Sequence, residues 1–117
     1  MGYLSFNEVM ETALPTEDIE VPSLGGTVQI RAVTGAEWER AKRMSTNRKT
    51  KDLNEMRFAA MLVVAACVEP SFPPASEDRL MRELSAGVIT RIAAAIGVLS
   101  GFEDDEDQDE ADDQGEA

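Results

Sequence analysis

Two short segments near the start of the chain, residues 17–22 and 27–33, alternate apolar with polar side chains. The apolar positions that share one face are Ile19 and Val21 in the first segment and Val28, Ile30 and Ala32 in the second. A period of two is typical of half-buried β-strands. Gly25 and Gly26 lie between the segments, where they supply the positive φ values of a tight reversal. The pattern therefore predicts a β-hairpin over 17–33.

A helix is expected directly after the hairpin. Thr34 precedes Glu37 by three residues, which is the spacing of a capping box and predicts a helix over about 35–45. Trp38 is the natural anchor of this helix on the hairpin. The polar and basic stretch 46–51 that follows is expected to be an exposed loop.

Apolar side chains at helical spacing and further capping patterns predict four more helices. Ser5 with Glu8 forms a second capping box, while Asp52, Ser76 and Ser85 are the expected caps of the later helices. The helices are expected at 5–13, 53–68, 77–84 and 86–99.

The helices at 53–68 and 86–99 are apolar over more than one face. Such a helix is central to a fold or to an oligomer. Its side chains either fill the core, which is the usual meaning of this periodicity, or line an exposed groove for an apolar partner helix. In the second case the partner-binding residues are Phe58, Met61, Leu62, Val64, Ile89, Ile92, Ile96 and Leu99.

Together these elements predict an α+β fold that is mostly α, with an N-terminal β-hairpin packed on three to four helices. At 117 residues the chain has the length of one domain with a modest core, which we place at 1–102. From residue 103 onward no apolar side chain is larger than alanine. We therefore expect 103–117 to be a disordered acidic C-terminal tail.

The net charge of −12 is concentrated in that tail. Residues 103–117 hold ten of the 23 acidic groups and no lysine or arginine, so 1–102 carries 13 acidic against 11 basic groups. Within this nearly neutral part, 40–57 has seven basic and two acidic residues. The basic segment is either a solvated helix end and loop or a phosphate-binding patch, and the acidic tail folding back across it is a third alternative.

The composition gives little basis for catalysis. The chain has no histidine, and its one cysteine, Cys67, lies in an apolar run without an imidazole to activate it. The same two facts leave no typical zinc ligand set. The glycine-rich stretch lacks the spacing and the lysine of a phosphate-binding loop. We therefore expect a protein that is not an enzyme and has no cofactor and no metal.

No membrane partner is expected either. The N-terminus lacks the basic start and long apolar core of a signal peptide. The apolar run 58–68 has about half the length that spans a bilayer. These features predict a soluble, cytoplasmic protein.

Residues 21–37, "VPSLGGTVQIRAVTGAE", resemble the N-terminal signature of tail assembly chaperones of long-tailed bacteriophages, in their short, pre-frameshift form. In that family the segment leads into a helix, a charged linker, a hydrophobic helix and a closing helical region, an order that this chain follows over about 17–100. The stretch "VEPSFPPASED" departs from the Asp, Glu and Gly turn that relatives often place after the hydrophobic helix. The signature residues are Pro22, Gly25, Gly26, Thr34, Gly35 and Glu37, with Trp38 adjacent.

The resemblance implies a phage protein made in the host bacterial cytoplasm and absent from the mature virion. Its implied partners are the tape measure protein, a long helical apolar chain that it keeps soluble, and the tail tube protein. It also implies self-association, or association with a longer form made by programmed frameshifting. No catalytic residue comes with the resemblance.

The alternative to a chaperone is a nucleic-acid-related regulator. Such a protein acts as a DNA mimic through the acidic tail or as a weak DNA binder through 40–57. The overall negative charge of the chain argues against nucleic acid as a partner.

Overall fold

The computed structural model describes residues 2–102, and the prediction of disorder for 103–117 lies outside them. In this part of the chain a three-stranded antiparallel sheet packs with five helices, which confirms the α+β, mostly α fold class. In chain order the elements are α1 (Phe6–Met10), β1 (Thr16–Val21), a 3₁₀ turn (Pro22–Leu24), β2 (Gly26–Arg31), α2 (Gly35–Met44), α3 (Glu55–Ala66), β3 (Cys67–Glu69), α4 (Glu77–Glu83) and α5 (Ala86–Leu99).

The predicted hairpin forms between β1 and β2, and Val21 faces Gly26 at its closed end. A 3₁₀ turn that starts at Pro22 makes the reversal, and Gly25 ends this turn with φ at 76°. The Gly25 N–H donates to the Pro22 carbonyl at 2.9 Å. Glycine adopts this left-handed backbone without steric cost. Gly26 is already the first residue of β2 and has no positive φ, so that part of the turn prediction is wrong.

A third strand that the sequence did not predict extends the sheet. β3 follows α3 directly and pairs antiparallel with β2, with Cys67 opposite Ile30. The helix expected over 53–68 therefore ends at Ala66. The open edge of β2 offers the backbone after Ala66 the hydrogen bonds of a ladder, and Pro70 has no N–H with which to continue a helix.

The two predicted capping boxes are present. In α2 the Thr34 hydroxyl accepts from the Glu37 N–H at 3.1 Å, and the Glu37 carboxylate accepts from the Thr34 N–H at 2.9 Å. Ser5 and Glu8 form the same reciprocal pair at the start of α1. Ser85 caps α5, as predicted.

Three other helix boundaries differ from their predictions. α1 ends at Met10 and is shorter than the expected 5–13. α3 begins after Asn54, whose side chain accepts a first-turn N–H at 3.1 Å, so Asn54 and not Asp52 is its cap. Ser76 precedes α4 without capping it, because its hydroxyl donates to the preceding loop instead.

The core lies between the sheet and the two long helices. α3 and α5 pack along each other, α5 also contacts β1 and β2, and α2 and α4 pack against α3. The apolar stripes of the long helices therefore build the core, which is the first of the two alternatives that their periodicity left open. The largest fully buried side chains are Val21, Ile30, Val63, Ile89, Ile92 and Ile96.

Candidate partner-binding site

Most of the eight side chains predicted to contact a partner are buried. Five of them, each 6% exposed or less, are Met61, Leu62, Ile89, Ile92 and Ile96. All five pack in the core cluster and hold the fold together, which corrects their assignment to a binding surface; Leu62 alone among them also reaches the groove described next. The remaining three, Phe58, Val64 and Leu99, are half-buried.

An open groove of about 470 Å³ runs along the seam between α3 and α5. We call it the α3–α5 groove. Leu62 reaches its floor, and Glu55 is the one charged residue among those that line it. Within residues 2–102 the groove is therefore an apolar surface that no other element covers. Its main apolar lining residues are Trp38, Met56, Phe58, Gly97, Val98 and Phe102.

Three aromatic rings form one wall of this groove. The Trp38 ring meets Phe58 edge to face, with centroids 4.9 Å apart and an interplanar angle of 89°. On the other side it stacks on Phe102, with centroids 4.0 Å apart and planes inclined by 19°. Such pairs stabilise by about 0.5–1.5 kcal/mol beyond the area they bury. Trp38 thus joins α2 to α3 and to the end of the described chain, two contacts that its expected role as an anchor on the hairpin did not include.

Phe102 reaches Trp38 because of the way in which α5 ends. Gly101 has φ at 99°, its N–H donates to the Val98 carbonyl, and the Phe102 N–H donates to the Gly97 carbonyl. These two bonds form a Schellman motif, which reverses the chain at a left-handed glycine. The motif turns Phe102 back toward the helices, and the sequence signal for it is a glycine just past the last apolar position of the helix.

An arginine joins the hairpin to α2. The Arg31 guanidinium donates to both carboxylate oxygens of Glu37, at 2.9 and 2.7 Å, and to the Ala65 carbonyl of α3 at 2.8 Å. The hydrogen bond from Arg31 lowers the pKa of Glu37 to about 2, and the Thr34 N–H acts in the same direction. In turn, the hydrogen bond to Glu37 raises the pKa of Arg31 above its ordinary value. Arg31 and Glu37 therefore fix the position of α2, and with it the aromatic wall.

Sequence periodicity alone did not reveal the α5 side of the groove. Thr90, Ala94, Gly97 and Val98 recur at helical spacing on one face of α5 and line the groove. Their side chains are small, so the larger isoleucines beside them dominate the hydrophobic pattern of the helix. A row of small residues leaves a depression between packed helices. This row of small residues is therefore the sequence signal for the α5 side of the groove.

A second apolar surface lies on the N-terminal segment. α1 buries none of its residues. All of the large apolar side chains in this segment are more than 40% exposed, namely Tyr3, Leu4, Phe6, Val9, Met10 and Leu14. Together with the α3–α5 groove, the segment gives the chain two apolar surfaces that its own described residues leave open.

Residues 2–102 contain no metal-binding cluster, and their one cysteine is buried. No group of three or more His, Cys, Asp or Glu side chains within residues 2–102 is placed to hold a metal ion. Cys67 is buried, and burial raises the pKa of its thiol to about 11. The thiolate is the reactive form of cysteine, so this side chain is a packing residue in the folded state.

We expect Cys67 to resist thiol reagents while the chain is folded. At pH 8 the folded chain should react with an aromatic disulfide reagent only slowly, because the high pKa leaves little thiolate and burial blocks access. In concentrated urea the thiol should react completely. The same rapid rate with and without urea would show that Cys67 is accessible in the folded chain.

A scan of family models, a search of curated proteins and a search of solved structures each found no match for this chain. Among the described helices, none combines the length and apolar character needed to cross a bilayer.

Proposed function

We propose that the chain is a phage tail assembly chaperone that binds the tape measure protein and keeps it soluble. The observation that carries this proposal is the α3–α5 groove, an apolar surface that residues 2–102 leave open beside a well-buried core. The resemblance of residues 21–37 to the chaperone signature gives the groove a partner of matching chemistry, a long apolar helix. In this proposal the chain acts by binding alone.

The apolar lining of the groove suits one face of an amphipathic helix. An amphipathic helix bound in a groove presents apolar anchors at successive turns. Val98, Leu53 and Phe102 are 53%, 38% and 46% exposed in the free chain, so a partner would remove substantial apolar surface from water. The exposed apolar side chains of residues 3–14 add area of the same kind. Binding that relies on apolar contact alone is reversible and needs no nucleotide.

The remaining parts of the proposal rest on the resemblance. The chaperone acts in the host bacterial cytoplasm, helps to recruit tail tube subunits to the tape measure protein, and leaves before the virion is complete. It self-associates or associates with a longer frameshifted form of itself.

The α3–α5 groove can be tested without disturbing the core. We expect Val98→Lys to abolish the gain in soluble yield that the chain gives a coexpressed tape measure protein, because the substitution places a charge in the apolar groove. Lysine is chosen because a positive charge near the C-terminus of α5 does not oppose the helix dipole. The measurement is the soluble fraction of the tape measure protein with each variant.

Leu24→Lys is the matched control. Leu24 is 48% exposed, close to the value for Val98, but lies in the hairpin turn away from the groove. It should keep the full soluble yield, and circular dichroism should show both variants folded. If Val98→Lys remains as effective as the unchanged chain, or if the unchanged chain gives no gain, the groove is not the chaperone site.

A further inference from the structure

The second half of α2 and the loop after it form a basic surface. Six basic side chains are exposed there, and none forms an ion pair with another residue in the range 2–102. Arg57, the remaining base of the segment, is paired with Asp78 at 3.0 Å. The surface therefore carries positive charge that the described part of the chain does not neutralise. We call it the basic surface; its members are Arg40, Lys42, Arg43, Arg48, Lys49 and Lys51.

The loop that carries half of these charges has a defined shape. The Asn47 side chain accepts from the Lys49 and Thr50 N–H groups at 2.8 and 3.0 Å. Thr46 forms a bridge with Leu53, and the Asn47 N–H donates to the Asp52 carbonyl at 2.9 Å. These hydrogen bonds fix the backbone of the loop. Its three basic side chains are exposed, as are those of α2.

The described chain ends next to this surface. Phe102 stacks on Trp38, and Trp38 lies one helical turn before Lys42 on the same face of α2. Along the axis of α2, Arg43 is only about 7.5 Å from Trp38 at 1.5 Å per residue. The fifteen residues that follow Phe102 carry ten acidic groups and no basic ones. Because fifteen extended residues span up to about 50 Å, they reach every part of the basic surface.

We propose that residues 103–117 of the same chain bind the basic surface. Opposite charges meet there, and the Trp38–Phe102 stack holds the last described residue against α2, the helix that carries half of the basic surface. A segment joined to its own binding site has an effective concentration on the order of millimolar, which a free polyanion must exceed to compete. The acidic segment thereby neutralises the basic surface and excludes nucleic acid from it.

Nucleic acid is the less favoured occupant for two physical reasons. Residues 40–57 include no aromatic side chain on which a base could stack. The chain as a whole carries a charge of −12, which repels a polyanion that approaches from solution.

The test places a nitroxide spin label in the acidic segment of the full chain and measures its effect on the basic surface. Ala111→Cys supplies the attachment point, and the buried, poorly ionised Cys67 leaves the new thiol as the reactive one. We expect amide signals of residues 42–51 to lose intensity at low salt. They should recover at about 1 M salt, where the Debye length is only about 3 Å.

Two charge-reversed variants of the labelled chain separate this contact from general attraction. Arg43→Glu with Lys49→Glu should abolish the loss of signal at 42–51. Arg79→Glu with Arg82→Glu changes the net charge equally, but on α4, and should leave the loss in place. The matched pair tests the position of the charge while its amount stays constant.

Three results would overturn the proposal. The first is no loss of signal at 42–51 in low salt, or a loss that salt and the Arg43→Glu, Lys49→Glu pair do not change. The second is a loss of signal that arises only between molecules, when spin-labelled chains are mixed with separate isotope-enriched chains. The acidic segment that occupies the basic surface would then belong to a second copy of the chain. The third is tight binding of a duplex DNA probe to residues 42–51 of the unchanged chain, which would identify the basic surface as a nucleic-acid site.

Discussion

Replacing Ile96 with alanine should lower the free energy of unfolding by about 2–5 kcal/mol, the range found when large apolar core side chains are truncated. Ile96 is 0% exposed and packs in the cluster formed by the sheet, α3 and α5. The loss combines the removed apolar contacts with the cavity left behind. A domain of this size has about 5–15 kcal/mol in total, so the variant should unfold at a clearly lower urea concentration.

Val98→Ala on the same helix is the matched control. Val98 is 53% exposed, so its truncation should change the free energy of unfolding by no more than about 0.5 kcal/mol. Urea titration followed by circular dichroism measures both variants. Equal losses at the two positions would mean that α5 does not bury the face that the structure assigns to the core.

The contrast between Ile96 and Val98 shows how much of the fold the sequence alone predicts. The apolar stripes of α3 and α5 could be recognised from spacing, but spacing does not say which of several apolar faces another element covers. That choice depends on the arrangement of sheet and helices. The structure settles it for Ile92 and Ile96, which are buried, and for Val98, which is not.

Local chemistry was predictable where the residues involved lie close together in the sequence. The Thr34–Glu37 capping box and the alternation of the hairpin strands depend on neighbours, and both are present. β3 and the position of Trp38 depend on groups far apart along the chain. The backbone after Ala66 adopts an extended conformation because it pairs with the edge of β2. The Schellman motif at Gly101 brings the Phe102 ring onto Trp38. Patterns within short windows do not contain such contacts.

The same distinction applies to the candidate site. The sequence indicated that two apolar helices could bind a partner, and an apolar groove lies between those helices. Its lining combines α3, α5, Trp38 of α2 and Phe102, so only the assembled fold defines it. The isoleucines of α5 that suggested a binding surface are buried in the core, while smaller residues line the α5 side of the groove.

Arg31→Met should lower the free energy of unfolding at pH 7 by about 1–3 kcal/mol, the range for hydrogen bonds to charged groups, with allowance for partial exposure. The substitution removes the bonds that join β2 to Glu37 of α2 and to the Ala65 carbonyl of α3. The two ion-paired side chains are 26% and 33% exposed, so solvent screens part of their attraction. Methionine keeps the apolar stem of arginine, which confines the change to the guanidinium.

The pH dependence of stability separates this ion pair from simple packing. The hydrogen bond and charge of Arg31, together with the Thr34 cap, lower the folded-state pKa of Glu37 from 4.5 to about 2, so the contribution of these contacts is fully present above about pH 4.5. It is lost as the pH falls toward 2 and the carboxylate takes up a proton. Unfolding free energies measured between pH 6 and pH 2 should therefore fall less steeply for Arg31→Met than for the unchanged chain.

Arg79→Met is the control for the loss of a positive charge. Arg79 pairs with Glu83 at 3.2 Å, but the two side chains are 75% and 59% exposed, and such surface pairs contribute little. We expect Arg79→Met to leave both the stability at pH 7 and its slope with pH nearly unchanged. If the two variants behave alike, the Arg31–Glu37 pair does not hold α2 against the sheet, and the aromatic wall of the groove depends on the Trp38 contacts alone.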